Sequence, residues 1–169
     1  MNTKESQQTI NQTRVTTGNG ETSSAVLGVA VGEDRYLISM AEVSEVIPIP
    51  KLAHVPLTQP WFLGVANVRG NLYGVTDLGV YLGKDSSPYN QKSRILLASP
   101  GDKLYGGFIV NSMLGIRSLS EFTSTRTAKK KLPKGIIKQY KDTEGRLWQE
   151  LSLFALIREE KFLHIARGE

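Results

Sequence analysis

The chain contains no cysteine, which excludes a disulfide framework, a thiolate metal site and a thiol nucleophile. Histidine is almost as scarce: His54 lies among prolines and His164 in an apolar terminal stretch. Two imidazoles without a placed acid make neither a usual zinc sphere nor an acid–base pair. The segment Gly79-Val80-Tyr81-Leu82-Gly83-Lys84-Asp85 has three residues between its glycines where a phosphate loop has four, and Asp where Ser or Thr should meet magnesium. Neither a dinucleotide-binding glycine pattern nor a nucleophile elbow is present. The residues therefore predict no metal, no cofactor and no enzyme. Long apolar runs are missing too: nothing approaches the roughly 18 consecutive residues of a membrane helix, and MNTKESQQTINQTR lacks the apolar centre of a signal peptide. A cytoplasmic location is expected.

What is there is an ordinary globular composition, 169 residues with 40% hydrophobic and 22% charged, punctuated by 16 Gly and 7 Pro that favour short elements. The net charge is +5. Arg126, Lys129, Lys130, Lys131, Lys134, Lys138 and Lys141 place seven cations and no acid in one stretch, so the other 14 cations face all 16 acids. Clustered cations suggest an anionic partner, and a small basic β-barrel binding nucleic acid is the alternative reading. Tyr140 is the only aromatic in that stretch available to stack a base, so no nucleic-acid partner is expected.

Residues 1–24 are dominated by Ser, Thr, Asn and Gln and read as a disordered polar tail. From Ala25, AVLGVAV and RYLISM flank a Gly32-Glu33-Asp34 turn, which predicts a hairpin. MAEVSEV has apolar residues at helical spacing before Pro48 and Pro50, which predicts a short helix with Glu45 at its end. FLGVANV and LYGVT flank Arg69-Gly70-Asn71, a second hairpin; Asp77 can cap LGVYL, and Gly83 can end it in left-handed conformation. In the second half RILLAS and KLYGGFIV are strands and NSMLGIRSL a helical turn leading into extended chain. GIIKQY and RLWQEL form a hairpin, and Ser152 can cap LFALIREEKFLHI.

The two halves match each other. An offset of 70 pairs Val43 with Met113, Val46 with Ile116 and Ile49 with Leu119. An offset of 75 pairs Gly70 with Gly145, Tyr73 with Trp148, Asp77 with Ser152 and Leu78 with Leu153. Short strands punctuated by turns and repeated twice predict an all-β fold with short helices, closed into two small barrels that remove exposed edges. Glu45 and Arg69, each flanked by apolar residues, are read as an ion pair across two elements. Trp61 and Phe62 are read as core.

RYLISMAEVSEVI followed by WFLGVANVRGNLYGVTDLGVYLG resembles the CheW-like chemotaxis coupling family, through Val43-Ser44-Glu45-Val46, Gly64-Val65-Ala66-Asn67-Val68-Arg69-Gly70 and Asp77-Leu78. The resemblance covers residues 25–166, with a first half of about 25–90 and a second of about 94–166, an exchange of terminal elements between them being left open. Its wording is most similar to the PilI-type branch of type IV pilus twitching systems. The resemblance implies two five-stranded SH3-like barrels around a shared core. It also implies a non-catalytic adaptor that joins a methyl-accepting chemotaxis receptor, PilJ-like in this branch, to a CheA-type histidine kinase in membrane receptor arrays. By that resemblance Val43, Glu45, Gly64, Asn67 and Arg69 face the receptor, Gly64 being small so that a receptor helix can approach. It names no kinase-contact residues. Lys129, Lys130 and Lys131 fall outside the family motif and are read as an electrostatic contact with an acidic partner patch.

Overall fold

A computed structural model describes residues 25–101, 104–125 and 131–168; the tail 1–24 and Lys129 and Lys130 lie outside the described residues. Alternating apolar residues make eleven strands: β1 (Ala25–Val31), β2 (Asp34–Ser39), β3 (Glu45–Ile47), β4 (Phe62–Val68), β5 (Asn71–Asp77), β6 (Arg94–Gly101), β7 (Leu104–Val110), β8 (Ser112–Ser118), β9 (Thr123–Ser124), β10 (Ile136–Lys141) and β11 (Leu147–Leu151). Three short helices, α1 (Leu78–Tyr81), α2 (Leu153–Ile157) and α3 (Glu160–Leu163), complete the described chain with two 3-10 turns at Met40–Glu42 and Leu119–Glu121.

The strands form a five-stranded sheet, β3-β6-β7-β5-β4, and a six-stranded sheet, β8-β1-β2-β11-β10-β9. Setting aside the two-residue β9, the orders are the same arrangement built twice, with the hairpins β1–β2 and β6–β7 exchanged between the two copies. Each exchanged hairpin is held by a parallel pairing, β5 with β7 and β11 with β2. The sheets therefore do not divide at residues 90–94: the five-stranded one uses the middle of the chain and the six-stranded one its two ends. The chain also joins the edges of each sheet. After leaving β3, Ala53 bridges to Val65 on β4; after leaving β8, Ser124 pairs with Tyr140 on β10.

Alternation sorts the strand side chains into two interiors and one shared core. Tyr73, Val75, Ile95 and Leu97 fill the five-stranded unit. Val26, Leu37, Phe122, Tyr140 and Trp148 fill the six-stranded one. Between the units Val29, Ile38, Leu96, Phe108 and Leu153 form the common core, joined by Trp61 and Phe62, both buried as read from the sequence. Burial of that many large side chains is the main stabilising term of the fold, at about 25 cal/mol per Å² of apolar surface.

The predicted caps are present. Asp77 accepts a hydrogen bond from the Val80 amide and Ser152 from the Ala155 amide, while Gly83 ends α1 at φ +87. Three local expectations are corrected. The helix expected over 40–46 stops after Glu42, because Glu45–Ile47 pair with Leu97, Leu96 and Ile95 of β6. The helical turn expected over NSMLGIRSL is strand β8, bulged where Gly115 adopts φ +93. The terminal helix is broken in two at Arg158–Glu159.

Candidate functional site

The hairpin β4–β5 turns through two residues, Arg69 at φ +51 and Gly70 at φ +83, opposite the pair Val68 and Asn71. Positive φ at both central positions is the signature of a type I′ turn, whose twist matches that of the strands. Gly70 supplies the second position without strain, but arginine is an unusual choice at the first. Asn67 secures the turn: its Oδ1 accepts the Gly70 amide at 3.0 Å. A non-glycine residue held in this conformation marks a position whose side chain matters.

That side chain reaches across the sheet. Arg69 Nη2 donates to Glu45 Oε1 at 2.7 Å, and Nη1 donates to Oε2 of the same carboxylate. The bidentate geometry matches the planar fork of guanidinium to carboxylate. The Glu45 carboxylate in turn raises the Arg69 pKa, chiefly through these hydrogen bonds. Glu45 stands on β3, one end of the five-stranded order, and Arg69 caps β4, the other end, so the pair links the two edge strands of the sheet. Arg69 remains 75% exposed while Glu45 is 29% exposed, so the guanidinium faces outward with its position fixed. Ser44, whose amide and hydroxyl both donate to the Leu97 carbonyl, fixes the entry into β3.

The other expected positions fall differently. Val43 is half-buried and packs on the shared core, and Val46 beside Glu45 is exposed. Gly64 is buried, at φ +141, and a Cβ placed there would lie 2.4 Å from the Ala53 carbonyl oxygen. Its smallness is a requirement of its own chain, a reason separate from the expectation that the missing Cβ makes room for a partner helix. Lys131 is exposed on the segment leading to β10, away in sequence and in sheet from Arg69.

The duplication isolates the pair. At the equivalent mouth Gly115 and Glu144 stand where Glu45 and Arg69 do, and Asp142 stands where Asn67 does. Asp142 accepts from the Glu144 and Arg146 amides at 2.9 Å, from Arg146 Nε at 2.8 Å and from Trp148 Nε1 at 3.0 Å. These donors, the indole first, hold its carboxyl well below the usual carboxylate range. The turn between GIIKQY and RLWQEL is where the sequence places it, but the part Asp142 plays in it was not singled out, although Asp142 and Asn67 share the offset of 75 already used for Gly145 and Gly70. Of the two equivalent positions only this one holds the pair: a fixed cation and anion beside apolar Val46. His54 is exposed, and His164 Nδ1 lies 2.8 Å from the Glu160 carbonyl. Among the described residues no group of three or more His, Asp or Glu is placed to hold a metal, and no helix is long and apolar enough to cross a membrane.

Two β-sheets exchanging hairpins across a shared core, with a bidentate ion pair linking the edge strands of one, define a duplicated all-β domain. The family profile described as CheW-like domain matches residues 25–161, and the chain belongs to that family. It is 34% identical over 91 residues to protein PilI of Pseudomonas aeruginosa, covering 54% of this chain and 51% of PilI. It is 29% identical over 83 residues to chemotaxis protein CheW of Helicobacter pylori, covering 49% of this chain and 50% of that protein. Each of these matches spans about half the length of the relative. Its structure superposes on that of scaffolding protein TtCheW from Thermoanaerobacter tengcongensis with a TM-score of 0.70 at 17% identity, covering 85% of this chain and 97% of the other. The all-β, CheW-like fold read from the sequence is therefore the fold observed.

Proposed function

We propose that this chain is a non-catalytic adaptor that joins a methyl-accepting chemoreceptor, PilJ-like in character, to a CheA-type histidine kinase, in a chemosensory pathway controlling type IV pilus twitching motility. It works at the membrane receptor array from the cytoplasmic side. Family membership and the likeness to PilI support the pathway; the Arg69–Glu45 pair supports the receptor-facing surface. In this reading Arg69 and Glu45 present charge to the receptor, Val43 and Asn67 hold the two elements that carry them, and Gly64 keeps β4 in register beneath. Lys131, with Lys129 and Lys130, supplies an electrostatic contact to an acidic patch of a partner.

The single observation that carries the reading is an arginine kept outward at positive φ by a two-pronged carboxylate contact, which makes one rigid recognition point instead of a mobile surface charge. The test is co-sedimentation of purified kinase with receptor-containing membrane vesicles in the presence of this protein. Arg69→Glu is expected to weaken sedimentation of the adaptor by about tenfold, the order seen for a central charged contact. The double change Glu45→Arg with Arg69→Glu restores part of it if the pair acts as a unit. Equal binding of wild type and Arg69→Glu overturns the assignment of the surface.

A further inference from the structure

Beyond α2 the chain becomes a strap. After α3, residues 164–167 run antiparallel to Leu57–Gln59, with Thr58 and Ala166 as the bridge pair. The Gln59 amide donates to the Ile165 carbonyl at 2.8 Å, the Arg167 amide to the Leu57 carbonyl at 2.9 Å, and Gln59 Nε2 to the Ala166 carbonyl at 3.3 Å. Only Phe162 and Ile165, three positions apart, point into the shared core; Leu163, His164, Ala166 and Arg167 are exposed. Phe162 enters an aromatic socket, stacking on Trp61 at 5.8 Å and 16° and meeting Tyr81 and Phe108 at 5.8 and 5.7 Å.

The seat is incompletely filled. A cavity of about 390 Å³ opens along one flank of the strap, where Leu163 meets Leu72, Leu104 and Tyr105. A second, of about 270 Å³, opens on the other, between Tyr81, Lys134 and Glu159. Glu159, where the strap leaves α2, has a buried Oε1 with no hydrogen-bond partner among the described residues. Leu57, which receives the strap, is 81% exposed at φ +57, a conformation unfavourable for leucine. The family match ends at residue 161, so Trp61, Tyr81 and Phe108 lie within it while Phe162 and Ile165 lie beyond it.

We propose that residues 160–168 are a displaceable strap, and that the seat beneath it is a docking site for a partner segment of the same chemistry. The partner segment is one turn running into extended chain, with an aromatic residue followed three positions later by an aliphatic one. The strap itself is the argument for the occupant, since it shows what the socket and the free backbone of Leu57–Gln59 accept. Two anchors and four hydrogen bonds, the fourth from Lys161 Nζ to the Tyr81 carbonyl at 2.8 Å, are few beside the continuous ladders of the sheets, so the strap opens while the sheets stay formed. Being tethered, it competes at a high effective concentration and sets the threshold a partner must exceed.

The absence of cysteine makes the test direct. Thr58 and Ala166 form the pair without mutual hydrogen bonds, where antiparallel Cα atoms lie about 4.5 Å apart, within the span of a disulfide. Full-length Thr58→Cys/Ala166→Cys protein is oxidised or reduced, and each form is titrated with a fluorescent peptide carrying residues 159–168. The reduced form is expected to bind and the oxidised form to bind at least tenfold more weakly. A peptide with Phe162→Ala and Ile165→Ala is expected to lose binding to the reduced form. Circular dichroism of the two redox forms guards against unfolding. Equal binding by both forms, or no binding by the reduced form at millimolar peptide, overturns the proposal. A disulfide formed between two chains assigns the seat to a second copy and overturns the partner assignment.

Discussion

Gly64 and Gly70 sit six residues apart on one hairpin, both at positive φ, and replacing each with alanine should have very different consequences. At Gly70 a Cβ meets nothing within 4 Å, so Gly70→Ala bears only the left-handed conformation, about 1 kcal/mol. At Gly64 the Cβ would stand 2.4 Å from the Ala53 carbonyl oxygen and 3.0 Å from its carbon, both backbone atoms that cannot rotate away. Relief requires Ala53 to leave Val65, breaking the two bridge hydrogen bonds at 2.8 and 2.9 Å that join the chain after β3 to β4. At about 1 kcal/mol per bond plus about 1–3 kcal/mol for the backbone conformation, Gly64→Ala should cost about 3–5 kcal/mol. For a domain of this size that is a fall in melting temperature of roughly 6–20 °C, against roughly 2–4 °C for Gly70→Ala. Differential scanning calorimetry reads both directly. Equal small shifts for the two variants would refute the steric reasoning. A Gly64→Asp protein that is fully stable yet fails to bind a partner would instead restore the reading in which the glycine makes room for a docking helix.

Two further outcomes follow from polar contacts, one between the repeated units and one within a single turn. Glu42 accepts the Ser152 hydroxyl at 2.7 Å and the Leu153 amide at 2.8 Å, and Ser152 also accepts the Ala155 amide at 3.0 Å, so Glu42→Ala and Ser152→Ala each remove two hydrogen bonds and should each destabilise by about 2 kcal/mol in urea titrations; a negligible cost for either would contradict this shared cap. Asp142 has a folded-state pKa below its unfolded one. Its contribution is therefore complete above the ordinary carboxylate range and fades as pH falls beneath about 4. The stability gap between wild type and Asp142→Asn should accordingly narrow from pH 7 to pH 3, and a constant gap would count against the hydrogen-bond account.

The features legible in the sequence were those that neighbouring residues decide. The hairpin turns, the caps at Asp77 and Ser152 and the left-handed Gly83 follow from local backbone chemistry, and all are present. Strand β8 was misread because Met113 and Ile116 stand three apart, a spacing that a bulged strand at Gly115 shares with a helix. An exchange of terminal elements was left open by the sequence, but which hairpins exchange was hidden, because parallel pairing of β5 with β7 and of β2 with β11 is a long-range choice that no local pattern encodes. Of the candidate site, the Arg69–Glu45 pair was readable, since two charges among apolar neighbours need each other. The role of Gly64 was not, because Ala53 reaches it only after the chain has crossed the barrel. Phe162 was absorbed into one long helical reading, as nothing nearby announces the break at Arg158–Glu159.

The most direct measurement is kinase recovered with receptor-bearing vesicles, titrated with this protein. Bridging predicts that kinase in the pellet rises with adaptor, falls again when adaptor is in large excess, and drops with Arg69→Glu. Kinase that sediments equally well without the adaptor, or an adaptor that binds neither component, would contradict the account.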